Sequence, residues 1–115
     1  MPDFNRPHLI AVNGIELAVY EAMPAHQVQR WPVILCHGMP ELAYSWRHQF
    51  APLVAAGFHV IAPDIRGVGH SQVLPNKEDY TLQARLDDMC GLLDHDGYEK
   101  GIFIGHDFGG TIVWG

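Results

Sequence analysis

The sequence predicts an α/β fold, a mostly parallel sheet opened by an antiparallel hairpin. Three observations predict it. Near the start, two apolar runs are joined by Asn13-Gly14. Further on, Val33-Ile34-Leu35-Cys36, Phe58-His59-Val60-Ile61-Ala62 and Ile102-Phe103-Ile104 are short apolar runs, the pattern of strands buried on both faces of a parallel sheet. Between these runs lie segments with helical spacing, and strands that alternate with helices imply right-handed crossovers.

The hairpin joins Leu9-Ile10-Ala11-Val12 to Ile15-Glu16-Leu17-Ala18-Val19-Tyr20. Asn-Gly is the turn signal because both central residues of such a turn need positive φ. Residues 22–31 read as a loop before the strand at 33–36. Leu42, Trp46, Phe50, Leu53 and Val54 then recur at helical spacing over 42–56, with Pro52 predicting a kink or two short helices and Gly57 a stop. After the strand at 58–62, residues 64–80 read as a long loop rich in Gly, Pro and Asn. Leu82, Leu86, Met89, Cys90 and Leu93 mark a helix with Thr81 or Asp79 as its cap and Gly97 at its end. Gly91 within it costs helix stability, in exchange for close packing. The strand at 102–104 is expected to be buried, and a last helix to begin near Phe108 and carry Ile112, Val113 and Trp114. The expected order is β-β-β-α-β-α-β-α, with no internal repeat.

Composition limits what the protein does. The 115 residues suffice for one domain, and 48% apolar with 17% charged residues reads as globular. The net charge of −6 with no basic block excludes nucleic acid and anionic membrane as expected partners. No apolar run approaches a membrane span, and the N-terminus lacks a signal-peptide core. Cys36 and Cys90 read as two reduced, buried thiols of a cytoplasmic protein.

The chemistry gathers at two places. Gly105-His106-Asp107-Phe108-Gly109 lies where a strand runs straight into a helix. A residue on so sharp a turn projects its side chain, and the residues two before and two after it must be small, as Gly105 and Gly109 are. The helix N-terminus behind it favours a carboxylate. Taken alone, this match is weak, and Asp107 as a helix N-cap is the better reading of it. The second place is His37-Gly38-Met39-Pro40, directly after the strand at 33–36. In a nucleophile elbow, one oxyanion-hole N–H follows the nucleophile and the other comes from the loop after this earlier strand. Those donors are the backbone N–H groups of Phe108 and Met39. Gly38 lets the backbone approach and Pro40 stiffens the turn. A tight turn explains the Gly and Pro, but not both motifs in this order.

With these residues in view, the chain resembles the start of an α/β-hydrolase throughout its length, truncated after the elbow. His37-Gly38-Met39-Pro40-Glu41, Tyr44-Ser45-Trp46-Arg47-His48-Gln49, Ala62-Pro63-Asp64-Ile65-Arg66-Gly67-Val68-Gly69-His70-Ser71 and Gly105-His106-Asp107-Phe108-Gly109-Gly110 resemble the epoxide hydrolase branch. The Asp64–Ser71 motif supports the fold more than the substrate. The resemblance implies that Asp107 attacks a saturated carbon of a small-molecule epoxide and forms an ester, which histidine-activated water then hydrolyses. A haloalkane or haloacetate dehalogenase using the same aspartate on a halide is the alternative, and a non-catalytic fragment or interaction module is the third. The resemblance puts the base histidine, its acid partner and two lid tyrosines beyond Gly115; Tyr44 and Tyr80 are not the lid pair. On this reading 1–115 is the N-terminal portion of a core domain whose lid and C-terminal part are absent. Its strand at 102–104 is left as an open edge, it is not stable as a monomer, and it does not hydrolyse epoxides by itself.

Other candidates carry less. His37 reads as bracing its loop, and His106 as a packing or hydrogen-bonding residue, since sequence neighbours on an elbow point apart. Asp64 and Arg66 read as a buried pair organising their loop, and Asp87, Asp88, Asp94 and Asp96 as a largely solvated helix face. Phe108, Pro40 and Trp46 are expected at the substrate; Trp114 reads as core. The five histidines at intervals of eleven, His26 to His70, fall on unlike elements, so their spacing aligns nothing. With no HExxH, no close Cys/His set and no GxGxxG, neither metal nor cofactor is expected. The oligomeric state is not written in the sequence.

Overall fold

The structure, a computed structural model, describes residues 2–38, 42–106 and 112. Strands β1 (His8–Val12), β2 (Ile15–Ala22), β3 (Val33–Cys36), β4 (Val60–Pro63) and β5 (Ile102–Gly105) form one sheet in the order β1-β2-β4-β3-β5. Helices α1 (Phe50–Ala55) and α2 (Leu82–His95) connect them. The hairpin closes with Val12 opposite Ile15, and its turn uses positive φ at both Asn13 and Gly14. Strands β4, β3 and β5 run parallel to one another, while β2 joins the hairpin to β4 in antiparallel register.

Side chains alternate between two cores. Val33, Leu35, Val60 and Ala62 face Phe50, Ala43 and Tyr20 on one side. Ile34, Cys36 and Ile61 face Met89, Leu92 and Leu93 of α2 on the other. All four residues of β3 are buried, because the strand is central and covered on both faces. Gly91 explains itself here: a Cβ at that position would lie 3.0 Å from Val12 Cβ, so glycine lets α2 approach β1.

Several expectations are refined. The segment 42–56 divides into a 3-10 turn (Ala43–Trp46) and α1. Pro52 is the third residue of α1, where a missing N–H breaks no intrahelical bond. The loop 64–80 holds a 3-10 turn, Lys77–Tyr80, closed by a capping box between Asn76 and Asp79. Thr81 alone caps α2, its side chain accepting the Ala84 N–H at 3.1 Å. Strand β5 is not buried: Ile102 and Ile104 are 41% and 38% exposed, because β5 lies at the end of the sheet. Cys90 is exposed rather than buried, on the outer side of α2. The helix expected from Phe108 lies outside the described residues except for Ile112, which is helical and fully buried in the α2-side core. Among the described residues no helix is long and apolar enough to cross a membrane.

Candidate functional site

Strands β3 and β5 are parallel neighbours, and their last residues, Cys36 and Gly105, pair in register. The His106 N–H continues the ladder, donating to the Cys36 carbonyl at 3.2 Å. His37-Gly38 and His106 therefore leave the sheet side by side from its C-terminal edge. This is where open α/β sheets bind ligands, because the loops there are free of the strands' own ladder. Of the residues singled out in the sequence, His37, Gly38, Trp46, Gly105 and His106 are described. Asp107, Met39, Pro40, Phe108 and Gly109 lie outside the described residues.

His37 is fully buried, and both ring nitrogens are engaged. Its Nε2 accepts the Ile65 N–H at 3.0 Å, and its Nδ1 lies 2.8 Å from the Gly38 carbonyl. A backbone N–H only donates, so the ring proton sits on Nδ1 and is given to Gly38. The ring thus ties the loop after β3 to the loop after β4. It has no lone pair left with which to serve as a base.

Asp64 follows β4 and is also buried, but it does not pair with Arg66. Its Oδ1 accepts the Ala43 N–H at 2.9 Å and its Oδ2 the His70 N–H at 3.1 Å. It fixes the start of the 3-10 turn beside the His37 loop and folds the 67–70 turn back on itself. Gly69 has φ +58, and a Cβ there would lie 2.4 Å from Asp64 Oδ2, so only glycine fits. Ser71 completes the loop, donating to the Asp64 carbonyl at 2.6 Å and accepting the Ala18 N–H at 2.9 Å. Tyr20 meets His70 Nδ1 at 3.0 Å; burial, with the Asp64 carboxylate nearby, pushes its hydroxyl up to about 12.

The partner of Arg66 is Asp88, through Nε–Oδ2 and Nη2–Oδ1 bonds of 2.7 Å each. Asp88 is 1% exposed, which removes it from the solvated face expected for α2. The correction has a local cause: position 88 lies one turn from Leu92, on the face that packs on the sheet. The signal available in the sequence was that spacing. Arg66 Nη1 also donates to the Asp79 carbonyl at 2.7 Å, holding the long loop against α2.

Trp46 lines a cleft of about 200 Å³ with Ser45, Gln49 and His106. Its indole Nε1 is buried and has no hydrogen-bond partner among the described residues. His106 is exposed at the mouth of this cleft. The cleft thus brings the 3-10 turn after β3 against the residue that follows β5. One further group was missed by sequence spacing. Glu21, His59 and Asp96 place metal-ligating atoms within 4.8 Å of one another. They lie at the opposite edge of the sheet, beside the start of β4.

A mixed sheet with these two loops at its C-terminal edge defines a hydrolase core, and the chain belongs to the alpha/beta hydrolase fold family, whose model matches residues 32–114. Its relatives narrow the branch. It is 48% identical over 107 residues to Epoxide hydrolase A of Mycobacterium tuberculosis (strain ATCC 25618 / H37Rv), covering 92% of this chain and 32% of that protein. It is 46% identical over 82 residues to Bifunctional epoxide hydrolase 2 of Sus scrofa, covering 71% of this chain and 15% of that one. The crystal structure of Epoxide Hydrolase A from Mycobacterium thermoresistibile superposes with a TM-score of 0.88 at 45% identity, covering 99% of this chain and 34% of that chain. The chain spans about a third of the length of the two epoxide hydrolase A proteins.

Proposed function

We propose that residues 1–115 are the N-terminal portion of an epoxide hydrolase core domain, with Asp107 as its nucleophile. The observation that carries this reading is the in-register pairing of Cys36 with Gly105. It starts the His37-Gly38-Met39-Pro40 loop and the His106-Asp107-Phe108 turn from adjacent points on one edge. An elbow nucleophile and its two oxyanion donors need that juxtaposition. The similarity to proteins named epoxide hydrolases supports the substrate class.

The reaction runs in two steps. An Asp107 carboxylate oxygen attacks an epoxide carbon, the carbon–oxygen bond of the ring breaks, and the leaving oxygen takes a proton from an acid. The resulting ester is attacked at its carbonyl carbon by water, whose proton passes to a histidine base. The N–H groups of Phe108 and Met39 hold the tetrahedral oxyanion, which collapses to release the diol and restore the carboxylate. Loss of one such donor costs about 3 kcal/mol of barrier. His37 cannot be the base, because both its nitrogens are bound to backbone. The base, its acid partner and the groups that protonate the leaving oxygen come, on this reading, from sequence after Gly115. On this reading Trp46 lines the substrate cleft, its indole N–H without a partner among the described residues, Pro40 and Phe108 are further substrate contacts expected from the sequence, and the chemistry needs no cofactor. A cytoplasmic location fits the two free cysteines.

The test is a single turnover of styrene oxide by excess full-length protein in ¹⁸O-labelled water, read by mass spectrometry. The heavy oxygen should enter the peptide containing Asp107, and the diol should be unlabelled. Asp107→Ala should abolish turnover. Label in the first-formed diol would mean direct attack by water and would overturn the ester mechanism. Halide release from a haloalkane without epoxide turnover would assign the same aspartate to a dehalogenase. Inactivity on both substrates would leave a non-catalytic role.

A further inference from the structure

We propose that Glu21, His59 and Asp96, with the exposed His8 beside Glu21 swinging in as the fourth ligand, form a binding site for a divalent transition metal, Zn²⁺ foremost, at the sheet edge opposite His37 and His106. Four separate segments supply it: the first residue of β1, the end of β2, the residue before β4 and the cap after α2. The Glu21 carboxylate bridges the two imidazoles, Oε2 at 2.8 Å from His59 Nε2 and Oε1 at 3.2 Å from His8 Nδ1. The four residues line an open cavity of about 480 Å³ together with Met23 and Tyr98.

The donor chemistry selects the ion. Two imidazoles and two carboxylates match the mixed nitrogen and oxygen ligands of Zn²⁺ and its first-row neighbours, whereas Mg²⁺ and Ca²⁺ prefer oxygen alone. Tetrahedral Zn²⁺ with bonds near 2.0 Å requires donors about 3.3 Å apart. The Glu21–His59 and Glu21–His8 contacts, at 2.8 and 3.2 Å, both fall just short of that spacing, so an ion would spread them slightly. Asp96 lies within 4.8 Å of the Glu21 and His59 donors and must close the remainder. It is an exposed cap residue followed by Gly97 at φ +76, and among the described residues its carboxylate is hydrogen-bonded only to exposed His95, at 3.3 Å, so the side chain can move.

The outer contacts also fit. His59 is 4% exposed, and its other nitrogen, Nδ1, meets the Tyr98 hydroxyl at 3.0 Å. A metal-bound imidazole needs a partner on its far nitrogen to fix the ring. Tyrosine can donate or accept there, so it follows the ring proton when Nε2 gives its lone pair to the metal. Gln27 Nε2 donates to the same hydroxyl at 3.2 Å and positions it. Bound there, the metal links β1 and β2 to the start of β4 and the end of α2.

The experiment is a Zn²⁺ titration of the full-length protein against a chromophoric chelator, with Co²⁺ as a spectroscopic probe. Wild-type protein should bind one tight equivalent of Zn²⁺, undisturbed by excess Mg²⁺, and give the visible bands of tetrahedral Co²⁺. His8→Ala and Asp96→Asn, both at exposed positions that leave the fold intact, should each weaken binding at least tenfold. Tyr98→Phe should weaken it by about 10- to 100-fold, the effect of losing an outer-shell partner. Absence of a tight equivalent overturns the proposal, as does a His8→Ala/Asp96→Asn double variant that binds Zn²⁺ like the wild type. In the first case the cluster is a hydrogen-bonded network complete in itself; in the second the zinc binds at other histidines.

Discussion

The imidazole of His37 accepts the backbone N–H of Ile65 at 3.0 Å, joining the loops that leave β3 and β4. The bond is buried, so its loss is not repaired by water. His37→Ala leaves the Ile65 N–H without an acceptor and should cost about 1–3 kcal/mol from that group, before any cavity cost. His37→Gln, which offers an acceptor at similar reach, should recover part of the loss. Denaturation midpoints of the two variants in the full-length protein check this; equal destabilisation by both would show that ring shape, not the bond, matters. Because the same ring holds the Gly38 carbonyl, the alanine variant should also lower kcat beyond what its residual fold explains.

Arg66 and Asp88 form the buried ion pair that holds the 64–80 loop against α2. Removing one member leaves the other charge buried and uncompensated, at a cost of about 3–5 kcal/mol. Asp88→Ala should therefore destabilise far more than Asp87→Ala, its exposed neighbour on the same helix. Chemical denaturation of the two variants compares them directly. Similar midpoints would mean that water reaches Arg66.

Gly69 and Gly14 separate two costs that glycine avoids. Both have positive φ, +58 and +81, so alanine at either meets the left-handed penalty of about 1–2 kcal/mol. At Gly14 nothing lies within 4 Å of the added Cβ, whereas at Gly69 it meets Asp64 Oδ2 at 2.4 Å. Gly69→Ala should thus cost clearly more than Gly14→Ala in a thermal melt. It should also loosen the Asp64 bond to the Ala43 N–H, seen as faster exchange of that amide. Matching costs would show that the 67–70 turn relaxes freely.

The local signals carried most of the fold. Asn13-Gly14, the all-apolar β3 and Thr81 before α2 each specify their element through backbone conformation or a bond within a few residues, which is information held in adjacent letters. The errors fall where partners are distant. Asp64 is the near carboxylate in sequence, but the partner of Arg66 lies 22 residues away, on α2. The apolar run at 102–104 points to a buried strand, but exposure depends on sheet order, which the run does not encode. At the candidate site, the two loops were legible as motifs, yet their adjacency rests on β3 pairing with β5 across 69 residues. The His8, Glu21, His59 and Asp96 group has no spacing signature, because four elements contribute one residue each.

Cys36 gives the protein a built-in sensitivity to alkali. Burial pushes its thiol up from 9.0 to about 12, and its Sγ lies 3.5 Å from Met89 Sδ in the core. Between those two pH values the folded chain keeps the Cys36 proton while the unfolded chain gives it up. The unfolded state is therefore increasingly favoured as pH rises: stability from this group is full below about pH 9 and is lost progressively toward about 12. Tyr20, pushed from 10.0 to about 12, adds a loss of the same sign over the upper part of that window. Denaturation midpoints should hold level from neutral pH to about 9 and then fall as the pH rises to about 10.5, and Cys36→Ala, though less stable at neutral pH, should show a shallower decline. In parallel, iodoacetamide under native conditions should label exposed Cys90 and spare Cys36, since only a thiolate that reaches solvent reacts. A decline of equal slope in the alanine variant, or ready native labelling of Cys36, would show that this thiol ionises without unfolding.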